Sequence, residues 1–282
     1  MFRQFYNMAS NPFTKEVPAS SAFQTEGMRQ VHARLEHLSR IGGMGLVTAE
    51  PGAGKTIAVR TWAARANPNT AKVVYICMST VTNMEFYRML CRGLGLEPGY
   101  KKADMFADIQ ARVRSLVDEK RMRVTVVLDE AQYLSGAILR DLQMLANFDM
   151  DSRDMFSLVL VGHPHLAQTL ARQPYESLRQ RLVVSYRMEA LTAEQARDYV
   201  RDRLLLAGAD PDIFDDAALA CAHGMKNCIT LAAHAQSIRS VLDVAAAVNS
   251  TARTAHCCAH GKMRIRDVGM LTRRKRSVVK LT

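Results

Sequence analysis

The chain has 282 residues, of which 48% are hydrophobic, 6% aromatic and 23% charged; these values fit one sizeable core plus a small second unit and exclude a fibrous or wholly disordered protein. No run approaches the roughly 18 apolar residues of a membrane helix, and "MFRQFYNMASNPF" at the start lacks the basic-then-apolar order of a secretion signal, so a cytoplasmic protein without a membrane partner is expected. The net charge is +11, yet residues 253–282 hold nine Lys and Arg against the single Asp267, which leaves only +3 for the first 252 residues.

Taken in chain order, the first informative element is the strand-length apolar run "GMGLVTA" (43–49), which leads into "TAEPGAGKT" (48–56). Such a loop suits phosphate: Gly52 and Gly54, set among Pro51 and Ala53, let the backbone turn so that successive N–H groups face one anion. Lys55 would reach the β- and γ-phosphates and the Thr56 hydroxyl would ligate Mg2+. Ile57 opens a helical segment, "IAVRTWAARA", whose N-terminus would also face the phosphates. Ala49 departs from the leading glycine of the usual pattern, which is harmless if its φ is negative and costs about 1–2 kcal/mol if it is not.

Further strand-length runs come at "KVVYICM" (72–78), "RVTVVLD" (123–129), "FSLVLVG" (156–162) and "LVVSYRM" (182–188), with helical segments between them. Leu134, Ile138, Leu142 and Leu145 show the helical spacing after the third run. Five buried strands alternating with helices predict an α/β fold with a parallel sheet covered on both faces. "VTVVLDEAQYL" places Asp129, which can hold magnesium, and Glu130, which can orient an attacking water, at the end of a buried strand. With a phosphate loop 74 residues upstream, that pair points to hydrolysis of a nucleoside triphosphate. "DEAQ" also invites a helicase reading, but such enzymes need a second nucleotide-fold domain, and fewer than 160 residues lie beyond Glu130.

His163 comes directly after the fourth run, where a polar group can sense a γ-phosphate, and Arg179 and Arg181 precede the fifth, from where either can reach a neighbouring subunit. "LTAEQARDYVRDRLLLAG" carries Thr192 and Gln195 in capping-box spacing and ends at Gly208, so a helix is predicted, with a second beginning near Pro211. The domain plan is an N-terminal segment and helix (1–40), a nucleotide-binding domain (41–189), a helical lid (190–250) and a basic tail (251–282). In that tail Arg273, Arg274, Lys275 and Arg276 are candidates for nucleic-acid phosphate contacts. Cys77, Cys91, Cys221, Cys228, Cys257 and Cys258 read as reduced thiols, and "HCCAH" (256–260) lacks zinc-ligand spacing.

Together, "FYNMASNPF", "VTAEPGAGKT", "VVLDEAQYL", "LVLVGHPHL" and "LRQRLVVSYRMEALTAEQARDYVRDRL" resemble AAA+ P-loop ATPases, and more narrowly the ExeA-like group that includes the target-DNA ATPases of transposons, Mu phage B protein, TniB and TnsC. The resemblance implies that Lys55 and Thr56 are Walker A residues, Asp129 and Glu130 the Walker B pair, His163 sensor 1, and Arg181 the arginine finger with Arg179 as alternative. It also implies that Asn11, Pro12 and Phe13 pack near the adenine. Where the family's lid commonly carries a sensor-2 arginine, this chain reads "HGMKNCITL" (223–231), with Lys226 as the available cation. The expected function is ATP-dependent assembly, as a homo-oligomer, on DNA to recruit or activate a transposase. The alternatives are an ExeA-like secretion-assembly ATPase and an ATP-binding switch with little turnover.

Overall fold

The computed structural model describes residues 6–14, 18–78, 80–148 and 153–213. The chain divides into two compact units, one of residues 26–189 and one that joins residues 1–25 to the chain from Ala190 onward.

In the first unit, α1 (Glu26–Ile41) leads into β1 (Gly43–Ala49), then α2 (Lys55–Arg65), β2 (Ala71–Cys77), α3 (Asn83–Leu94) and α4 (Lys102–Arg114). The second half runs β3 (Arg123–Asp129), α5 (Gly136–Leu145), β4 (Ser157–Gly162), α6 (Pro164–Leu170), the short α7 (Glu176–Gln180) and β5 (Leu182–Met188). The strands form one five-stranded sheet in the order β2-β3-β4-β1-β5, every neighbouring pair parallel. Parallel neighbours need crossovers, and the intervening helices supply them.

Local sequence explains where several helices begin and end. Thr82 accepts from the Glu85 N–H while the Glu85 carboxylate takes the Thr82 N–H, a reciprocal cap that starts α3; Gly95, at φ 79°, ends it. Ser135 caps α5 through the Ile138 N–H. Along α3 the buried residues Phe86, Tyr87, Leu90, Cys91 and Leu94 fall at helical spacing and turn one face to the sheet.

Helices cover both faces of the sheet. On one, Met44, Leu46, Val74, Ile76, Val126, Leu128 and Leu160 join α3, α4, α5 and α6 in a single buried cluster. On the other, the Ser157 hydroxyl donates to the Leu38 carbonyl of α1 at 2.8 Å, and a Cβ on Gly45 would lie 2.7 Å from Leu38 Cδ2.

The strands fall where the apolar runs predict; β2 begins and ends one residue earlier than expected, and β4 begins one residue later. The expectation of five buried strands is corrected at the two edges. β1 and β4 are buried throughout and β3 in all but its first residue, whereas β2 exposes Tyr75 and Cys77 and β5 exposes Val183 and Ser185. An edge strand has a neighbour on one side only, so helices and flanking strands shield it less completely.

The second unit is built around α8 (Ala193–Leu206), which starts with the expected Thr192–Gln195 capping box and is closed off by Gly208 at φ 75°. Its buried Arg203 donates from Nε to the Pro12 carbonyl at 2.9 Å and from Nη1 to the Ser21 carbonyl at 3.4 Å. The Phe23 and Tyr199 rings meet edge-on at 5.9 Å. At Pro211 the described chain forms a 3-10 turn, Pro211–Ile213. The helix expected beyond it, "HGMKNCITL" and the basic tail lie outside the described residues.

Within α3, Gly93 stands where helix propensity alone favours alanine. A Cβ there would overlap Val74 Cγ1, and a β-branched side chain in a strand has little freedom to yield. Gly93→Ala should therefore lower the unfolding free energy by about 1–3 kcal/mol in urea titration; an unchanged or raised midpoint would show that the helix can move away from β2.

Candidate functional site

Three adjacent strands, β3, β4 and β1, end side by side at one edge of the sheet because all are parallel. β1 delivers the phosphate loop, β3 delivers Asp129 and Glu130, and β4 delivers His163. In open parallel sheets this carboxyl edge is where ligands bind.

Ala49 closes β1 as a fully buried residue and is not among the positive-φ positions, so it fits without strain. The turn is made instead by Gly52 at φ 76° and Gly54 at φ 95°, which flank the buried Ala53 and come after Pro51. Left-handed backbone at both positions is what glycine accommodates without penalty. Gly54 caps α2, so Lys55, Thr56 and Ile57 form its first turn and their N–H groups have no partner within the helix. That arrangement is a preformed anion seat.

Lys55 is 6% exposed, and its ammonium donates to the carbonyls of Ala49 at 2.8 Å and Glu50 at 3.1 Å. Burial holds its pKa below the ordinary lysine range, against the opposing pull of the Glu130, Asp129 and Glu50 carboxylates. Thr56 Oγ1 donates to Asp129 Oδ2 at 2.8 Å, bringing together two hard oxygen atoms from positions 73 residues apart. Asp129 is 1% exposed, and its other oxygen accepts the Glu130 N–H at 2.9 Å. Such an oxygen pair beside an anion seat fits Mg2+, which binds through one or two protein oxygens plus substrate phosphates.

Glu130 has left-handed backbone, φ 56° and ψ 36°. Its Oε2 accepts from Gln132 Nε2 and stands 3.7 Å from His163 Nε2. Gln132 Oε1 in turn accepts the His163 backbone N–H at 3.1 Å. The structure thus brings Lys55, Thr56, Asp129, Glu130 and His163 into one cluster.

Two participants escaped the sequence reading. Tyr75, on β2, donates its hydroxyl to Asp129 Oδ2 at 2.7 Å, and that phenol is pushed well above its ordinary pKa, first by burial and then by the carboxylate it faces. The other is Gln132, visible only as the last letter of "DEAQ". Cys77 pairs with Asp129 across the β2–β3 register, and its thiol is raised by burial and by the nearby carboxylates.

Other expected site residues lie elsewhere. Arg179 and Arg181 precede β5, at the amino edge of the sheet, opposite the phosphate loop. Arg179 Nη1 donates to the Ala171 carbonyl at 3.3 Å and its Nη2 lies 4.0 Å from Glu176, while Arg181 lines a depression with Gln143, Ser177 and Gln180. Neither reaches the cluster of its own chain. Asn11, Pro12 and Phe13 belong to the second unit, where Asn11 Oδ1 accepts the Phe13 N–H at 3.1 Å, Pro12 is held by Arg203, and Phe13 is buried. Arg273, Arg274, Lys275 and Arg276 lie outside the described residues.

Residues 39–170, which contain every member of the cluster as well as Tyr75 and Gln132, match the family model of the AAA domain. The sheet unit has the fold of an AAA+ P-loop NTPase. Among solved structures, this AAA+ fold is shared with Cdc6p from Pyrobaculum aerophilum, at TM-score 0.61 and 20% identity over 85% of this chain and 65% of that one. It is shared also with the ORC2 protein of Aeropyrum pernix, at TM-score 0.62 and 15% identity over 86% and 67% of the respective chains. In sequence, the chain is 28% identical over 272 residues to general secretion pathway protein A of Aeromonas hydrophila, a match covering 93% of this chain and 47% of that protein. The chain thus spans about half the length of this relative. Among the described residues, no helix is long and apolar enough to cross a membrane.

Tyr75→Phe removes one hydrogen bond from the buried Asp129 carboxylate but leaves those from Thr56 and the Glu130 N–H. Because Tyr75 is 44% exposed, water can take part of its place, and the expected loss of stability is about 1 kcal/mol by urea unfolding. The same variant should need more Mg2+ for half-maximal nucleotide binding; an unaltered Mg2+ titration would leave Tyr75 with a packing role alone.

Proposed function

We propose that the chain is a Mg2+-dependent ATPase that assembles as a homo-oligomer on DNA and regulates transposition by recruiting or activating a transposase. The observation that carries the enzymatic half is the meeting of Thr56 and Asp129 at 2.8 Å beside the buried Lys55, with Glu130 on the next residue. The DNA half is supported by the basic excess of the chain and by its resemblance to target-DNA ATPases.

In this reading the first-turn N–H groups of α2 and the Lys55 ammonium hold the β- and γ-phosphates. Thr56 and Asp129 would hold Mg2+, which would offset the negative charge that develops on the phosphate oxygens. Glu130 accepts a proton from the attacking water as the water oxygen bonds to the γ-phosphorus and the bond to the β–γ bridging oxygen breaks, leaving ADP and phosphate. His163 faces the γ-phosphate as sensor, and Asn11, Pro12 and Phe13 pack near the adenine. Arg181, or Arg179 in its place, acts in trans, since both stand at the amino edge of their own sheet. The chain from 190 to 250 serves as lid, and Arg273, Arg274, Lys275 and Arg276 of the tail contact DNA phosphates.

A second reading is favoured by the Aeromonas relative: an ATPase assisting assembly of a secretion machinery. It shares the chemistry and differs in the partner.

DNA-binding titrations with ATP, with ADP and without nucleotide separate the two. ATP alone should promote binding, with affinity falling steeply as salt rises; binding that ignores nucleotide, or no binding in any state, would falsify the DNA reading and leave the secretion one. Glu130→Gln should keep ATP affinity, lose at least about a hundredfold in turnover, and persist on DNA. Rapid dissociation of that variant, or turnover close to wild type, would remove Glu130 from the role assigned to it.

A further inference from the structure

Gln132 lies in the 3-10 turn Ala131–Tyr133 just past β3, and its amide spans two strand ends. Nε2 donates to Glu130 Oε2 at 2.5 Å, while Oε1 accepts the His163 N–H at 3.1 Å. The partners fix the orientation of the amide, because a flipped group would set its oxygen against a carboxylate and its NH2 against an N–H. The His163 ring stands 3.7 Å from the same Glu130 oxygen, so one residue addresses Glu130 both directly and through Gln132.

Gly162 makes room for this bridge. A Cβ at that position would lie 2.6 Å from Gln132 Oε1 and 3.0 Å from Leu166 Cδ2. Gly162 is not among the positive-φ glycines, so space for the amide, rather than backbone freedom, accounts for glycine there.

We propose that Gln132 is a positioning residue that couples the end of β4, where a γ-phosphate would be sensed, to the Glu130 carboxylate; this rests on reading Glu130 as the group that activates water. A shift of the His163 backbone is carried to Glu130 through two hydrogen bonds of one rigid amide. Both the direction of the carboxylate and its response to the phosphate depend on that link.

The test compares Gln132→Ala, Gln132→Glu and Gly162→Ala with wild type, measuring steady-state hydrolysis of Mg-ATP, the Kd of a fluorescent ATP analogue, and thermal unfolding. Gln132→Ala should lower kcat about a hundredfold with Kd and KM unchanged. Gln132→Glu, which sets a second carboxylate against Glu130, should be no more active than the alanine variant. Gly162→Ala should lose kcat in the same way although Gln132 is retained, because the new Cβ displaces the amide. Retained kcat in Gln132→Ala overturns the proposal, as does a fall in kcat matched by an equal loss of affinity. If Gln132→Ala does not fold, Gln132→Glu and Gly162→Ala decide by the same criteria. A wild-type chain that binds the analogue yet shows no turnover overturns the hydrolytic reading itself, and this proposal with it; normal wild-type turnover beside fully active variants removes Gln132 alone.

Discussion

The parallel pairing of β3, β4 and β1 is the constraint on which the site depends. Because neighbouring strands run the same way and lie only a few ångströms apart, the loops at their carboxyl ends all emerge together at one edge. The anion seat, the acidic pair and the histidine come from distant parts of the chain and meet there without any long loop having to reach. The parallel pairing of β5 with β1 in turn puts the residues before β5, Arg179 and Arg181 among them, at the opposite edge.

Burial gives that edge its chemistry. An ammonium and a carboxylate that are both almost fully enclosed each need polar partners, and each has them: Lys55 in two backbone carbonyls, Asp129 in a threonine, a tyrosine and a backbone N–H. These bonds hold the side chains ready while keeping them exchangeable. A phosphate offers Lys55 a charged acceptor in place of neutral ones, and a charge-assisted bond is roughly twice as strong.

How much of the fold and site was legible in sequence depends on how local each signal is. The glycine turn, the lysine and the hydroxyl sit within a few residues, and a strand-length apolar run announces the element before them, so the loop and the strands along the chain could be read directly, whereas their order in the sheet could not. The Asp129–Glu130 pair was legible because it ends such a run. Tyr75 was not, because its role depends on β2 lying beside β3 in a register that pairs Cys77 with Asp129, a relation that no short window contains. Gln132 was in plain sight, but its bond to the His163 backbone depends on the β3–β4 pairing and on the missing side chain of Gly162. The edge character of β2 and β5 was equally hidden, since an apolar run at an edge resembles one in the middle.

Glu130 adopts left-handed backbone that glycine or asparagine would occupy with less strain. For a residue with its long side chain that conformation costs about 1–2 kcal/mol, a sizeable share of the roughly 5–15 kcal/mol by which domains are typically stable. Strain of this kind persists where surrounding contacts over-determine it and tends to gather at working sites. The residue after Asp129 is thus held in a conformation that the fold alone would give to glycine or asparagine, and the chain carries the less stable choice.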